Sequence, residues 1–240
     1  MELQDGFIVG VFNYCDRWCE RCALTTWCRL FADRAQTEAS LDPQLKAVVE
    51  APPLRHEVQE MPEWMEELLE NIQDDIDKMS PEKEDELDAL RPPPVNKEDP
   101  LLQRASAYAT TVHSWLGDDR NRSEDANEPR AVIAWFSMMI PAKIARALHG
   151  LGDRYLDPEE PTDYDGSAKV ALLDIERSRA AWQELAPTDP VASQSIAELT
   201  WLEQEVERMF PRARRFIRPA FDEPDEVARL LGERNESTSG

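Results

Sequence analysis

Glycine is scarce in this chain: 8 among 240 residues, against 18 prolines. So little glycine argues against a turn-rich β architecture, whose tight hairpins draw on residues free to take positive φ. Histidine is scarcer still. His56, His113 and His149 are scattered, each reading as a surface or helix-end residue, and His149 with Arg146 suits the last turn of a helix, where cations favour the dipole. No Glu-x-x-His pair occurs, so the di-iron site of ferritin-like bundles lacks its ligands. The glycine-rich phosphate loop and the Gly-x-Ser-x-Gly nucleophile turn are missing too. Long apolar runs are also absent. The longest uncharged stretch, 131–142, falls short of the roughly 20 residues that span a membrane. The start Met1-Glu2-Leu3-Gln4-Asp5 is acidic where a secretory signal is basic, and the apolar run 7–12 is too short for a signal core. These absences predict a cytoplasmic protein outside the membrane.

Positive charge is the other shortage. With 49 acidic and 27 basic residues the net charge is −22. A field of that sign repels nucleic acid and anionic lipid, so neither is an expected partner.

What is present reads as helix. The pairs Asp42-Pro43, Ser80-Pro81, Asp99-Pro100 and Asp189-Pro190 each place a side-chain oxygen before a proline. Proline loses nothing at the first helical position, and the oxygen can accept from the unpaired amides behind it. Apolar spacing of three and four then predicts four helices: Leu101, Ala105, Tyr108, Val112 and Leu116; Val132, Phe136, Ile140, Ile144 and Leu148, with a kink at Pro141; Ala168, Leu172, Ile175, Arg179 and Trp182, opened by Asp165-Gly166-Ser167; and Ile196, Leu199, Leu202, Val206 and Met209, stopped before Pro211. The expected fold is all-α, an antiparallel four-helix-bundle-like core with an N-terminal cysteine-rich segment and additional acidic helices. Further helices are expected over 43–50 and 62–90, and a short strand without a partner over 7–12. The stretch 57–88 holds 14 acidic residues against Lys78 and Lys83 and reads as an amphipathic helix with a solvated face. Arg91-Pro92-Pro93-Pro94 reads as a stiff linker. The organisation so read is 1–40, a cysteine-rich metal-binding segment; 41–97, acidic helices and a Pro-rich linker on the core; 98–222, the bundle; and 223–240, a short helix and disordered tail.

All four cysteines fall within 14 residues, in Tyr14-Cys15-Asp16-Arg17-Trp18-Cys19-Glu20-Arg21-Cys22 and then Cys28, a C-x3-C-x2-C-x5-C spacing. Clustered thiols in a reducing compartment are metal ligands, a redox set or inert; metal ligation is the preferred reading. If 15–22 is helical, Cys15, Cys19 and Cys22 share one stripe and Cys28 returns to close the site. Four thiolates suit a 4Fe-4S cluster or a zinc ion; a tight triplet plus one leans toward the cluster. Either centre is anionic. Arg17, Arg21 and Arg29 lie beside it in sequence, and Phe12, Tyr14, Trp18, Trp27 and Phe31 are candidates to shield it or simply to pack.

The C-x3-C-x2-C triplet resembles the radical-SAM signature in spacing. That family places an aromatic before the third cysteine where this chain has Arg21, needs repeated βα units, and leaves one iron open that a fourth thiol would fill. Over most of its length the chain more closely resembles a set of uncharacterised bacterial proteins that begin Y-C-D-x-W-C-E-x-C and share a D-G-S-A-K helix start (Asp165-Gly166-Ser167-Ala168-Lys169) and a late F-P-x-A-R segment (Phe210-Pro211-Arg212-Ala213-Arg214). The resemblance implies a shared fold and cysteine site and no particular activity.

Two weaker candidates remain. Asp165 and Lys169 sit at a helix start, read first as a cap. Arg212, Arg214, Arg215 and Arg218 form the basic cluster, expected to pair with the acidic segment 57–88 or to take an anionic ligand. The functional expectation is a metal-binding helical protein with a structural, sensing or protein-partner role; the alternative is an iron–sulfur redox or electron-transfer enzyme.

Overall fold

A computed structural model describes residues 2–40, 96–117, 129–150 and 162–229. The expected helices at 43–50 and 62–90, the linker 91–94, the pairs Asp42-Pro43 and Ser80-Pro81, His56 and the tail 230–240 lie outside these residues. The chain divides into two units, one of Met1–Arg34 with Val95–Gly240 and one of Ala35–Pro94.

Among the described residues the protein is all-α apart from one hairpin. β1 (Leu3–Gln4) pairs antiparallel with β2 (Phe7–Ile8), Leu3 opposite Ile8. Between them Asp5 and Gly6 both take positive φ, 51° and 81°, the type I′ pattern that Asp-Gly favours because its twist matches paired strands. The expected lone strand over 7–12 is thereby corrected. Its partner lies immediately upstream, and Val11–Tyr14 leaves the strand as a 3-10 turn.

α1 (Arg29–Ser40) follows the cysteines. The bundle is built of α2 (Pro100–Leu116), α3 (Pro129–Gly150), α4 (Asp163–Leu185) and α5 (Ala192–Met209). Asp99 caps α2, accepting from Leu101 N at 2.9 Å with Pro100 in the first turn, as the Asp-Pro pattern predicts. At Asp189-Pro190 the same pattern makes a turn instead: Asp189 accepts from Val191 N at 2.9 Å and α5 begins at Ala192. α4 begins at Asp163, so Asp165 lies in its first turn and accepts from Thr162 N at 2.9 Å. α3 continues through Pro141.

α3 and α4 make the broadest contact, α4 packs on α5, and α2 closes the ring against α3 and α5. The Arg104 guanidinium near the start of α2 binds Glu198 at 2.7 Å, while Trp115 at its other end donates to Asp189, just before α5, at 2.8 Å. α2 and α5 therefore run antiparallel. The predicted stripes fill the core: Leu101, Ala105, Tyr108, Val112, Phe136, Ile140, Ile144, Leu172, Ile175, Trp182, Leu199, Leu202 and Val206 are buried. Arg179, placed on the third stripe, instead pairs with Glu203. By length and composition α3 could cross a membrane, with a mean hydropathy of 1.4 over an 18-residue window; here its buried face, from Ile133 to Ala147, joins the bundle core.

Candidate metal centre

The cysteine segment is a series of tight turns laid across the bundle. Gly10, at φ 74°, opens the 3-10 turn Val11–Tyr14. Cys15 is extended, and Arg17 turns left-handed at φ 59°. A second 3-10 turn, Cys19–Arg21, closes with Cys22 N donating to Cys19 O at 3.1 Å; a third, Thr25–Trp27, closes with Cys28 N donating to Thr25 O at 3.2 Å. Residues 15–22 are thus no α-helix, and the expected i, i+4, i+7 stripe of sulfurs does not form. Asp16 explains part of this: its Oδ1 accepts from Trp18 N at 3.1 Å, a local side-chain bond that competes with helix, and the left-handed Arg17 then ends helical continuation.

The turns nevertheless gather the four thiols around one small cavity of about 20 Å³, lined by Cys15, Cys19, Cys22 and Cys28 together with Phe12, Arg17, Trp18, Phe31 and Phe221. All four are half-buried and none is in a disulfide. The Cys22 sulfur accepts from Leu24 N at 3.4 Å, and the Cys15 thiol donates to Phe12 O at 3.4 Å. Burial pushes the Cys19 and Cys22 thiols up, and the neighbouring Cys15 and Cys28 add to both shifts, so the sulfurs sense one another's charge. Among the described residues, no three Cys, His, Asp or Glu side chains stand ready-arranged to hold a metal ion.

The expected neighbours divide. Arg17 lines the cavity. Arg21 instead lies over the Trp18 ring at 4.5 Å, and Arg29 pairs with Asp33 at 3.0 Å. Trp18 is a bundle residue, stacked on Trp135 with centroids 5.1 Å apart. Trp27 belongs to a second apolar cluster with Ile8, Val11, Leu24 and Ala220, against which Cys22, Cys28, Phe221 and Val227 pack. Residues that follow α5 therefore help wall the cysteines.

The bundle holds the loop by its backbone. Asn13 O accepts from Lys143 at 3.3 Å and from Arg146 at 3.1 Å; Asp16 O accepts from the Trp135 indole at 2.9 Å. The Asp16 carboxylate pairs with Arg177 at 2.5 Å. Lys143 and Asp174, both buried, and Phe221 were not anticipated. The available signal was a charge set among apolar stripe positions in α3 and in α4.

The weaker candidates resolve into structure. Asp165 pairs with Arg212 at 3.3 Å, and Lys169 with Asp222 at 2.7 Å. Arg214 binds Glu176, Glu203 and Glu207, and Arg218 binds Asp222 at 2.8 Å. Much of the basic cluster is thus satisfied within the bundle and its C-terminal extension. Beside the cysteines a larger cleft of about 660 Å³ is lined by Trp18, Cys22, Phe136, Arg177, Glu184 and Phe221 among others. Comparison with protein-family models, curated proteins and solved structures finds no match to this chain.

Proposed function

We propose that Cys15, Cys19, Cys22 and Cys28 are the ligands of a metal centre that fastens the N-terminal segment to a helical bundle, in a protein with a structural, sensing or partner-binding role. What supports the reading is that four unpaired thiols, the only cysteines of the chain, line one cavity. No ready-made group of three exists among the described residues, so the thiols must shift to reach a common ion. The donor set is all thiolate, which selects zinc or iron–sulfur over harder ions. The cysteine spacing favours a 4Fe-4S cluster. Four thiolates equally suit the second occupant, a single zinc ion.

A redox or electron-transfer enzyme is the second reading, and the cleft against Cys22 favours it, since 660 Å³ is within the range of small-molecule sites.

Purification without oxygen separates these readings. Brown protein with equal iron and sulfide supports the cluster; colourless protein with one zinc per chain supports the ion. A cluster that accepts and returns an electron supports the redox role. Cys22→Ser is expected to release the metal and loosen the N-terminal segment while the bundle stays helical. Full metal content in that variant would remove Cys22 from the ligand set, and metal-free wild-type protein would end the proposal.

A further inference from the structure

Within the cysteine segment, Cys19 and Cys22 stand at the two ends of one 3-10 turn, closed by Cys22 N donating to Cys19 O at 3.1 Å. Such a turn rises about 2 Å per residue and eclipses side chains three positions apart, so its end Cα atoms are about 6 Å from each other. That separation lies inside the window of roughly 4.4–6.8 Å that a disulfide needs. Among the described residues no other cysteine pair is joined in this way. Cys15 is extended, precedes the left-handed Arg17 and donates its thiol to Phe12 O at 3.4 Å. Cys28 closes the next turn onto Thr25.

Access singles out one member of the pair. All four cysteines line the small cavity, but Cys22 alone of them also lines the cleft of about 660 Å³. The Leu24 N–H donates to its sulfur at 3.4 Å, which fixes the side chain between the two spaces. Trp18, Leu24, Phe136 and Phe221 give the cleft an apolar lining, and its volume is ample for a small neutral molecule.

We propose that Cys22 and Cys19 are an oxidation site, converted to a disulfide by a small hydroperoxide that enters through the cleft. The Cys22 sulfur attacks the peroxide: an S–O bond forms, the O–O bond breaks, and water or an alcohol leaves with the thiol proton. The Cys19 sulfur then attacks the Cys22 sulfenic acid. The S–S bond forms, the S–O bond breaks, and water leaves with the second thiol proton. Two electrons thus pass from the sulfurs to the peroxide, and an external thiol returns them by exchange. The consequence for the metal rests on the metal reading above: the disulfide withdraws two of four ligands, and the ion is released.

The test treats the full chain, metal-free and zinc-loaded, with a single equivalent of hydrogen peroxide. Remaining thiols are capped, the protein is reduced, and the newly freed thiols take a second label that mass spectrometry locates. Loss of free thiol is expected at Cys19 and Cys22, with zinc released in step. In metal-free Cys19→Ser, dimedone is expected to trap the sulfenic acid at Cys22. In Cys15→Ser and Cys28→Ser the Cys19–Cys22 bond is expected to form as in wild type. Circular dichroism of each variant confirms that the bundle is intact. A wild-type disulfide through Cys15 or Cys28, a dimedone adduct away from Cys22, or four thiols inert to peroxide would each overturn the proposal. Zinc binding by the wild type would survive any of these, leaving the metal reading untouched. Oxidation at the named pair in a chain that takes up no metal would end the metal reading and keep the oxidation site.

Discussion

Tyr14 and Gly166 meet so closely that no methyl group fits between them: a Cβ on Gly166 would stand 2.5 Å from Tyr14 Cε1 and 2.7 Å from Phe216 Cζ. The Tyr14 ring cannot readily yield, since its hydroxyl donates to Asp163 at 2.8 Å and its face packs on Phe216 with centroids 4.6 Å apart. Glycine inside a helix ordinarily costs about 1 kcal/mol relative to alanine, so its presence here reflects this contact. Gly166→Ala is therefore expected to destabilise by about 1–3 kcal/mol, the usual range for overpacking, where helix propensity alone predicts a gain. Urea unfolding at neutral pH decides the sign.

Asp174 makes stability depend on pH. Its folded pKa is raised above the unfolded value of about 3.9, by burial first and then by Asp16, against Arg177, Lys143 and Arg218. The native state therefore holds a proton that the unfolded chain releases. The associated stability is fully present below the unfolded value and is lost as pH rises toward the folded one. Asp174→Asn cannot titrate and is expected to flatten this decline. Parallel slopes for variant and wild type in melts across that window would refute the assignment.

A buried hydroxyl on α2 joins two side chains of α4. Tyr108 OH lies 2.6 Å from Ser178 Oγ and accepts from the Trp182 indole at 3.0 Å. Burial pushes the Tyr108 phenol up to about 12, although both hydrogen bonds work against the shift. Tyr108→Phe leaves two buried polar groups without this partner and should cost about 1–3 kcal/mol. A thermal melt unchanged from wild type would show that the two groups find other partners.

Asp222 pins the C-terminal extension. Burial tends to raise its carboxyl, but hydrogen bonds from Arg218 and Lys169 outweigh it and hold the group well below the usual range. Its contribution is present above the unfolded value and is lost as pH falls through the folded one. Lys169 also donates to Phe216 O. Lys169→Met is expected to free this extension, and with it Phe221, from the cysteine cavity. In metal-free protein the rate of thiol alkylation by iodoacetamide should rise several-fold with helical content unchanged; unaltered labelling would mean that the extension does not guard the thiols.

The bundle is legible in the sequence because a 3.6-residue period repeats long enough to define a face, and Phe136, Ile140, Leu172, Leu199 and Val206 all fall where that period puts them. The hairpin is equally legible in principle, since Asp5-Gly6 is a strong short-range signal; two-residue strands are too short for alternation to show. At the cysteines, composition points to the right four residues for one cavity, but the assumption of a helix fails. A side-chain bond from Asp16 and a left-handed Arg17 decide the path there, and neither has a periodic signature. Phe221 escapes for another reason: its contact with the cysteines joins positions distant in sequence, which no local pattern encodes.

The wall around the thiols is drawn from two stretches far apart in sequence, Ile8, Val11 and Leu24 from one and Ala220, Phe221 and Val227 from the other. During synthesis the cysteines leave the ribosome about 200 residues ahead of Phe221. At about 5–20 residues per second that interval is on the order of 10–40 s. Throughout it the nascent thiols lack this cover, so oxidants reach them most easily before Phe221 is made.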